Sequence, residues 1–191
     1  KKKEIYNKIK IAKSLGINKS FLERSTPGFY DASDLGFNYR MNEIQAAIGL
    51  QQLKKIKLFL KTRKKNFNFL KKALSKNKDI LILDSTKNNV KSSHYCMNLV
   101  LPVHLSKKRK KIIKDLNKEK IGTSIYYPQP VPRMSYYKKK YGYNPKNFKN
   151  SEAISDRTIS LPVGPHLRKN DLKYIALKTL KIINKFYEKQ N

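Results

Sequence analysis

An α/β chain ending in a small α+β domain is the fold class this sequence predicts, and three observations predict it. One apolar stripe, at three- and four-residue steps, runs from Leu53 to Leu74. Beyond it, short apolar runs alternate with amphipathic stretches to the C-terminus. The 191 residues are 39% apolar, enough for one core and too well patterned for a disordered chain.

Residues 1–14 read as a helix with Ile5, Ile9, Ala12 and Leu15 near one face, stopped at Gly16. Residues 16–40 lack periodicity and hold Pro27-Gly28 and the polar cluster 31–34, so they read as a long loop of the kind that often carries function. Asn42-Glu43-Ile44-Gln45 is close to a capping box and opens a helix of roughly 35 residues, about 50 Å long. Its stripe is Leu53, Ile56, Leu60, Phe67, Leu70 and Leu74, with Arg63 as the one polar break. Such a helix links two domains or lies along a partner subunit. A free coiled coil is the alternative, but Ala46-Ala47-Ile48-Gly49 predicts close packing against other backbone.

Residues 79–84 read as a short buried strand, Asn88-Asn89 as a turn and 93–103 as a second strand. Ser106 caps a helix bearing Ile112, Ile113 and Leu116. Gly122–Tyr127 reads as a third strand, ended by Pro128, and Pro128, Pro130 and Pro132 make a stiff extended segment. A Tyr-rich stretch (136–143) precedes a helix from Ser151, the rigid turn 161–165, and a last helix opened by Asn170-Asp171. The predicted order after the long helix is β-β-α-β-α-α.

Lysine and arginine total 44 against 13 acidic residues, a net charge of +31. Nucleic acid is the default partner of such a surface. Only seven of the basic residues are Arg, the residue that reads phosphates and guanine edges best. The lysines are spread along the chain with abundant Asn and Ile, so the charge reads as compositional drift on solvated faces. No stretch approaches the ~20 apolar residues of a membrane span, and no membrane role is expected. Lys1-Lys2-Lys3-Glu4 lacks the apolar run of a secretory leader, and the single Cys96 allows no internal disulfide.

No Gly-rich phosphate loop, zinc pair or GxSxG elbow is present. His94, His104 and His166 are scattered, the last two expected at the surface, and no metal site is expected. The chain has no complete catalytic constellation of its own.

One segment is distinctive: Asp34-Leu35-Gly36-Phe37-Asn38-Tyr39-Arg40-Met41-Asn42-Glu43-Ile44-Gln45-Ala46-Ala47-Ile48-Gly49-Leu50-Gln51-Gln52-Leu53. It resembles the G-[YF]-N-Y-R-[ML]-x-E-[IL]-Q-A-A-[IL]-G-x-x-Q-L signature of the DegT/DnrJ/EryC1/StrS family of pyridoxal-phosphate-dependent sugar aminotransferases. Lys10–Ile17, Gly122–Pro128 with Tyr136-Tyr137, and Ile159-Ser160-Leu161-Pro162-Val163 resemble further family segments in order and spacing.

The resemblance implies the C-terminal part of a fold-type I aminotransferase. Family members are about twice this long. Their Schiff-base lysine, and the partners of the cofactor ring, lie in an N-terminal half, so the resemblance places no catalytic residue in this chain. Residues 1–40 would be the end of the large cofactor domain and an interface loop, 41–78 the connecting helix, and 79–191 the small domain.

Asn38 matches the family Asn that crosses a dimer interface to the phosphate of the neighbouring cofactor. An amide can donate there, beside a helix N-terminus that favours anions. Asn also shapes turns, but the intact motif favours binding. Arg40 either holds a substrate phosphate or carboxylate or makes a structural ion pair. Tyr39 and Met41 are expected to pack. Tyr126 stands where many members have His, in the substrate-facing loop, and Pro132 replaces another His, so sugar specificity does not carry over. Tyr127, His94 and Arg133 are weaker candidates, for which packing or solvent exposure weighs at least as much.

The resulting expectation is a cytoplasmic homodimer with a shared active site. It would move an amino group from an amino-acid donor, glutamate by resemblance, to a nucleotide-linked keto sugar. The setting would be synthesis of surface polysaccharide or a related sugar. A non-catalytic or regulatory relative of the same fold is the first alternative. A basic nucleic-acid-binding module ranks last, because it leaves the signature unexplained. A half standing alone is expected to expose its interfaces and aggregate.

Overall fold

The computed structural model describes residues 2–84 and 89–187. The chain divides into two compact units, residues 1–55 and 56–191. The Asn88 half of the expected turn falls outside the described residues.

In the first unit, α1 spans Lys2–Ala12. It ends because Leu15 and Gly16 take left-handed backbone, φ 63° and 75°, a conformation glycine tolerates without strain. The helix buries none of its residues, and Ile5 and Ile9 of the predicted apolar face are exposed. The long loop is present, interrupted by a short 3-10 turn at Phe21–Glu23. Two isolated bridges tie it back, Ser14 to Asn38 and Ile17 to Ala32.

The long helix, α2, spans Glu43–Leu74. Its start is the expected capping box: the Gln45 N–H donates to Asn42 Oδ1 (2.8 Å) and the Asn42 N–H to Gln45 Oε1 (3.2 Å). Only the last two turns bury the stripe. Phe67, Leu70 and Leu74 are buried, whereas Leu53, Ile56 and Leu60 are exposed. The close packing expected at Ala46–Gly49 is not made: a Cβ on Gly49 would meet nothing within 4 Å among the described residues.

The second unit is built on a three-stranded antiparallel sheet in the order β1-β2-β3. β1 is Leu81–Ile82, β2 Met97–Val100 and β3 Thr158–Leu161. Leu81 pairs with Val100, and Met97 with Leu161. Helices α3 (Arg109–Lys118), α4 (Ser135–Tyr141), α5 (Lys149–Ser155) and α6 (Lys169–Tyr187) complete the unit. Phe67, Leu70 and Leu74 pack with Met97, Leu99, Ile112, Leu116, Ile159, Leu161 and Ile183 in one core. Each such fully buried side chain contributes about 2 kcal/mol of burial free energy.

Four expectations are corrected. The 79–84 strand shrinks to two residues at a sheet edge, with Leu81 exposed: Leu81 and Ile82 make the ladder pairs, and Leu83 adds one hydrogen bond, its N–H to Asn98 O (2.9 Å). Ser106 lies inside a 3-10 turn, Val103–Lys108, and α3 starts at Arg109 with no side-chain cap. Gly122–Tyr127 makes only the bridge Ser124–Ser160 among the described residues, and Pro128 and Pro130, which have no N–H, carry no ladder beyond it. The true third strand is Thr158–Leu161, so the order becomes β-β-α-α-α-β-α. That strand, Thr158-Ile159-Ser160-Leu161, does alternate, but four residues are too few to separate a strand from a turn, and all four are buried, so its polar positions do not mark a solvent face.

Candidate functional site

The first unit holds Asn38 and Arg40. The segment around Asn38 is clamped to the end of α1: the Phe37 N–H donates to Ala12 O (2.6 Å), the Leu15 N–H to Phe37 O (3.0 Å) and the Tyr39 N–H to Lys13 O (2.9 Å). This clamp needs glycine on both sides, because a Cβ on Gly36 would sit 1.8 Å from the Gly16 nitrogen. Asn38 itself is exposed, and its side-chain amide makes no hydrogen bond among the described residues. Tyr39 stacks on Phe37 at 5.4 Å, yet it and Met41 are largely exposed and do not enter a core. Arg40 lines a cleft of about 340 Å³ with Lys10, Lys19, Arg24 and the polar Ser14 and Asn18. Four cations around one small cleft make an anion its natural occupant. Hydrogen bonds from Ser20, and then the charge of Lys10, hold the nearby Glu23 carboxyl below its usual range.

The second unit holds Tyr126, Tyr127 and His94. A cleft of about 300 Å³ is lined by Arg63, Tyr95, Ser124, Tyr126, Ser160 and His166, among others. The bridge between Ser124 and Ser160 builds its floor (N···O 3.1 and 2.8 Å) and brings together two of the motifs singled out in the sequence. Tyr126 meets Tyr95 edge to face (5.9 Å) and Tyr127 in the same manner (5.5 Å). Hydrogen bonding with Tyr126 pushes the Tyr95 hydroxyl above its ordinary range. Tyr127 is itself largely exposed. His166 and His104 are exposed, as expected.

His94 is not brought to Tyr126. It is buried, with φ 46°, against Phe67 (4.6 Å), and lines a neighbouring cleft of about 470 Å³ with Asp84, Ser92 and Asn98. The two clefts share Tyr95 and Cys96, whose thiol is pushed up by burial.

Arg133, a weaker candidate, is engaged structurally. It sits in the 3-10 turn Val131–Arg133 and forks onto Asp156, with Nη1–Oδ2 at 2.9 Å and a second contact from Nη2 to Oδ1. Glu152 lies at 3.5 Å and in turn accepts from the Tyr143 hydroxyl. Burial, and then hydrogen bonding to Glu152, push that hydroxyl up to about 12.

Arg63 and Ser160 were not singled out as site residues. The signal for Arg63 was its place as the one cation in an apolar helical stripe. No group of three or more His, Cys, Asp or Glu side chains able to hold a metal is found among the described residues. None of the described helices is long and apolar enough to cross a membrane.

Comparison with known proteins matches residues 1–179 to the DegT/DnrJ/EryC1/StrS aminotransferase family. An uncharacterized protein of Methanocaldococcus jannaschii is 32% identical over 185 residues, covering 95% of this chain and 47% of that protein. A UDP-4-amino-4,6-dideoxy-N-acetyl-beta-L-altrosamine transaminase of Campylobacter jejuni is 29% identical over 186 residues, covering 95% of this chain and 46% of the enzyme. The solved structure of Helicobacter pylori PseC, an aminotransferase of pseudoaminic acid biosynthesis, superposes with TM-score 0.85 at 26% identity over 96% of this chain and 47% of that one. The chain spans about half the length of the curated relatives it matches. With the fold of the C-terminal half of such enzymes and a match over nearly its whole length, this chain belongs to the DegT/DnrJ/EryC1/StrS aminotransferase family.

Proposed function

We propose that this chain forms the C-terminal half of a pyridoxal-phosphate-dependent aminotransferase that acts on a nucleotide-linked keto sugar. Glutamate is the amino donor, and surface polysaccharide or a related sugar is the setting, in the cytoplasm. The observation that carries this reading is the Asn38 segment: a backbone clamp holds it at the foot of α2, and its amide is exposed and without a hydrogen-bond partner among the described residues. Those residues fit a phosphate, since an amide N–H₂ donates to phosphate oxygen and the segment is held rigid.

Asn38 would bind the phosphate of the cofactor in the other subunit of a homodimer. When bound, the cofactor supplies an electron sink for breaking bonds at the amino-bearing carbon. The lysine that carries it lies outside this chain. Arg40, in its cationic cleft, would hold a phosphate or carboxylate of substrate. Tyr126 and Tyr127 would hydrogen-bond the substrate from the second unit. His94 faces a separate cleft and is held there by packing on Phe67.

The test is Asn38→Ala in the full-length protein, read by pyridoxal phosphate titration. Loss of a hydrogen bond to a charged group should weaken cofactor affinity on the order of tenfold. Unchanged affinity removes Asn38 from the cofactor site. If the full-length wild type takes up no cofactor at all, the non-catalytic reading replaces this one.

A further inference from the structure

We infer that the cleft around Arg63 is a carboxylate-binding site. On the aminotransferase reading proposed above, on which this second step rests, it holds a carboxylate of the amino-acid donor.

Arg63 stands apart from the other half-buried arginines of its unit. Arg133 is paired with Asp156 and Glu152, Arg109 donates to the Ser155 carbonyl, and Arg157 donates to the Ala153 and Leu101 carbonyls. Arg63 has no ion pair among the described residues, and its Nε is buried without a hydrogen-bond partner there. Withdrawing an unpaired cation from water is costly, and an arriving anion relieves that cost.

The guanidinium is also held in place. It lies over the Tyr95 ring, 5.5 Å from its centroid, and Tyr95 is itself braced edge-on by Tyr126. The ring holds the cation at the cleft, and a planar guanidinium can make two parallel N–H···O bonds, the geometry a carboxylate matches.

The walls agree in sign and chemistry. Among the described residues no acidic side chain lines the cleft, while Tyr95, Tyr126 and Ser124 bring hydroxyls; the Thr123 hydroxyl donates to Asn117 Oδ1 (3.1 Å). The Ser160 hydroxyl is already committed to Asn98 Oδ1. The rim at Val163 and Gly164 is fixed by buried Asn66, whose Nδ2 donates to both carbonyls (3.3 and 2.9 Å). At about 300 Å³ the cleft suits a compact acid.

The experiment is calorimetric titration of the full-length protein with glutarate, a dicarboxylate that cannot transaminate. Inorganic phosphate is run in parallel. Arg63→Gln should weaken glutarate binding at least about tenfold, and Arg63→Lys, which keeps charge and stem but loses the fork, at least about threefold. Glutarate binding that is equal in wild type and Arg63→Gln overturns the site. If Arg63→Gln does not fold, an unchanged affinity in Arg63→Lys does the same. Phosphate binding that depends on Arg63 where glutarate binding does not reassigns the cleft away from carboxylates.

The donor assignment is read separately, by steady-state kinetics. Arg63→Gln should raise the KM for glutamate at least about tenfold and leave the KM for the nucleotide sugar within about twofold. A parallel rise in both overturns the donor role. If no nucleotide keto sugar is transaminated, the functional proposal fails while the glutarate titration still decides the site.

Discussion

Gly16 and Gly36 meet backbone to backbone: a Cβ on Gly36 would lie 1.8 Å from the Gly16 nitrogen, and one on Gly16 would lie 1.7 Å from the Asp34 carbonyl oxygen. Neither position accepts a side chain without moving main chain. The contact lets the loop return to α1 and places Asn38 beside Ser14. Gly36→Ala should therefore destabilise the first unit by about 1–3 kcal/mol, as overpacking does elsewhere. The check is limited proteolysis of the full-length protein, with new cleavage expected between residues 17 and 42. An unaltered digestion pattern would show that the clamp is dispensable.

Asn66 is the polar counterpart of that clamp in the second unit. It is 4% exposed and serves two carbonyls, Val163 and Gly164. Asn66→Ala should cost about 1–3 kcal/mol, because it leaves buried acceptors unsatisfied. Urea denaturation reads the loss. A change under about 0.5 kcal/mol would mean that water substitutes for the amide.

Asp156 gives the unit an acid limb. Hydrogen bonding from Arg133, joined by the charges of Arg133 and Arg109 and opposed by burial, holds its carboxyl below the usual range. A depressed folded value means the contribution is present above the unfolded value, about pH 4, and is lost as pH falls through the folded one. The side chain is 43% exposed, so solvent screening limits the contribution to about 1 kcal/mol. Between pH 5 and pH 3, wild type should lose more stability than Asp156→Asn. Identical acid limbs would remove the pair from the account.

Residues 1–191 expressed alone should self-associate. Ile5, Ile9, Ile44, Ile48 and Leu53 are all more than half exposed, in a unit that buries little. Such apolar surface seeks cover. Sedimentation velocity checks this, and a monodisperse monomer with one sharp unfolding transition would contradict it.

Local patterns determined much of this protein on their own. The start of α2 was legible because a capping box is a contact between residues three apart, and Asn42 and Gln45 carry it. The stop at Gly16 was legible because left-handed backbone favours one residue type. The family was legible because a twenty-residue motif survives in order. Features that needed distant partners were not legible. β3 is not legible because its alternation, Thr-Ile-Ser-Leu, lasts only four residues and all four are buried against partners far away in the chain, and 122–127 reads as a strand although its run finds only one bridge, at Ser160. His94 and Tyr126 are both substrate candidates in the sequence, but His94 packs on Phe67 and lines a different cleft from Tyr126. Arg63 looked like a flaw in a stripe until the fold set Tyr95, Tyr126 and Ser124 around it. Periodicity records which face of an element is apolar. Only the packing of one element against another decides which side chains share a cavity, because that depends on contacts between residues far apart in the chain.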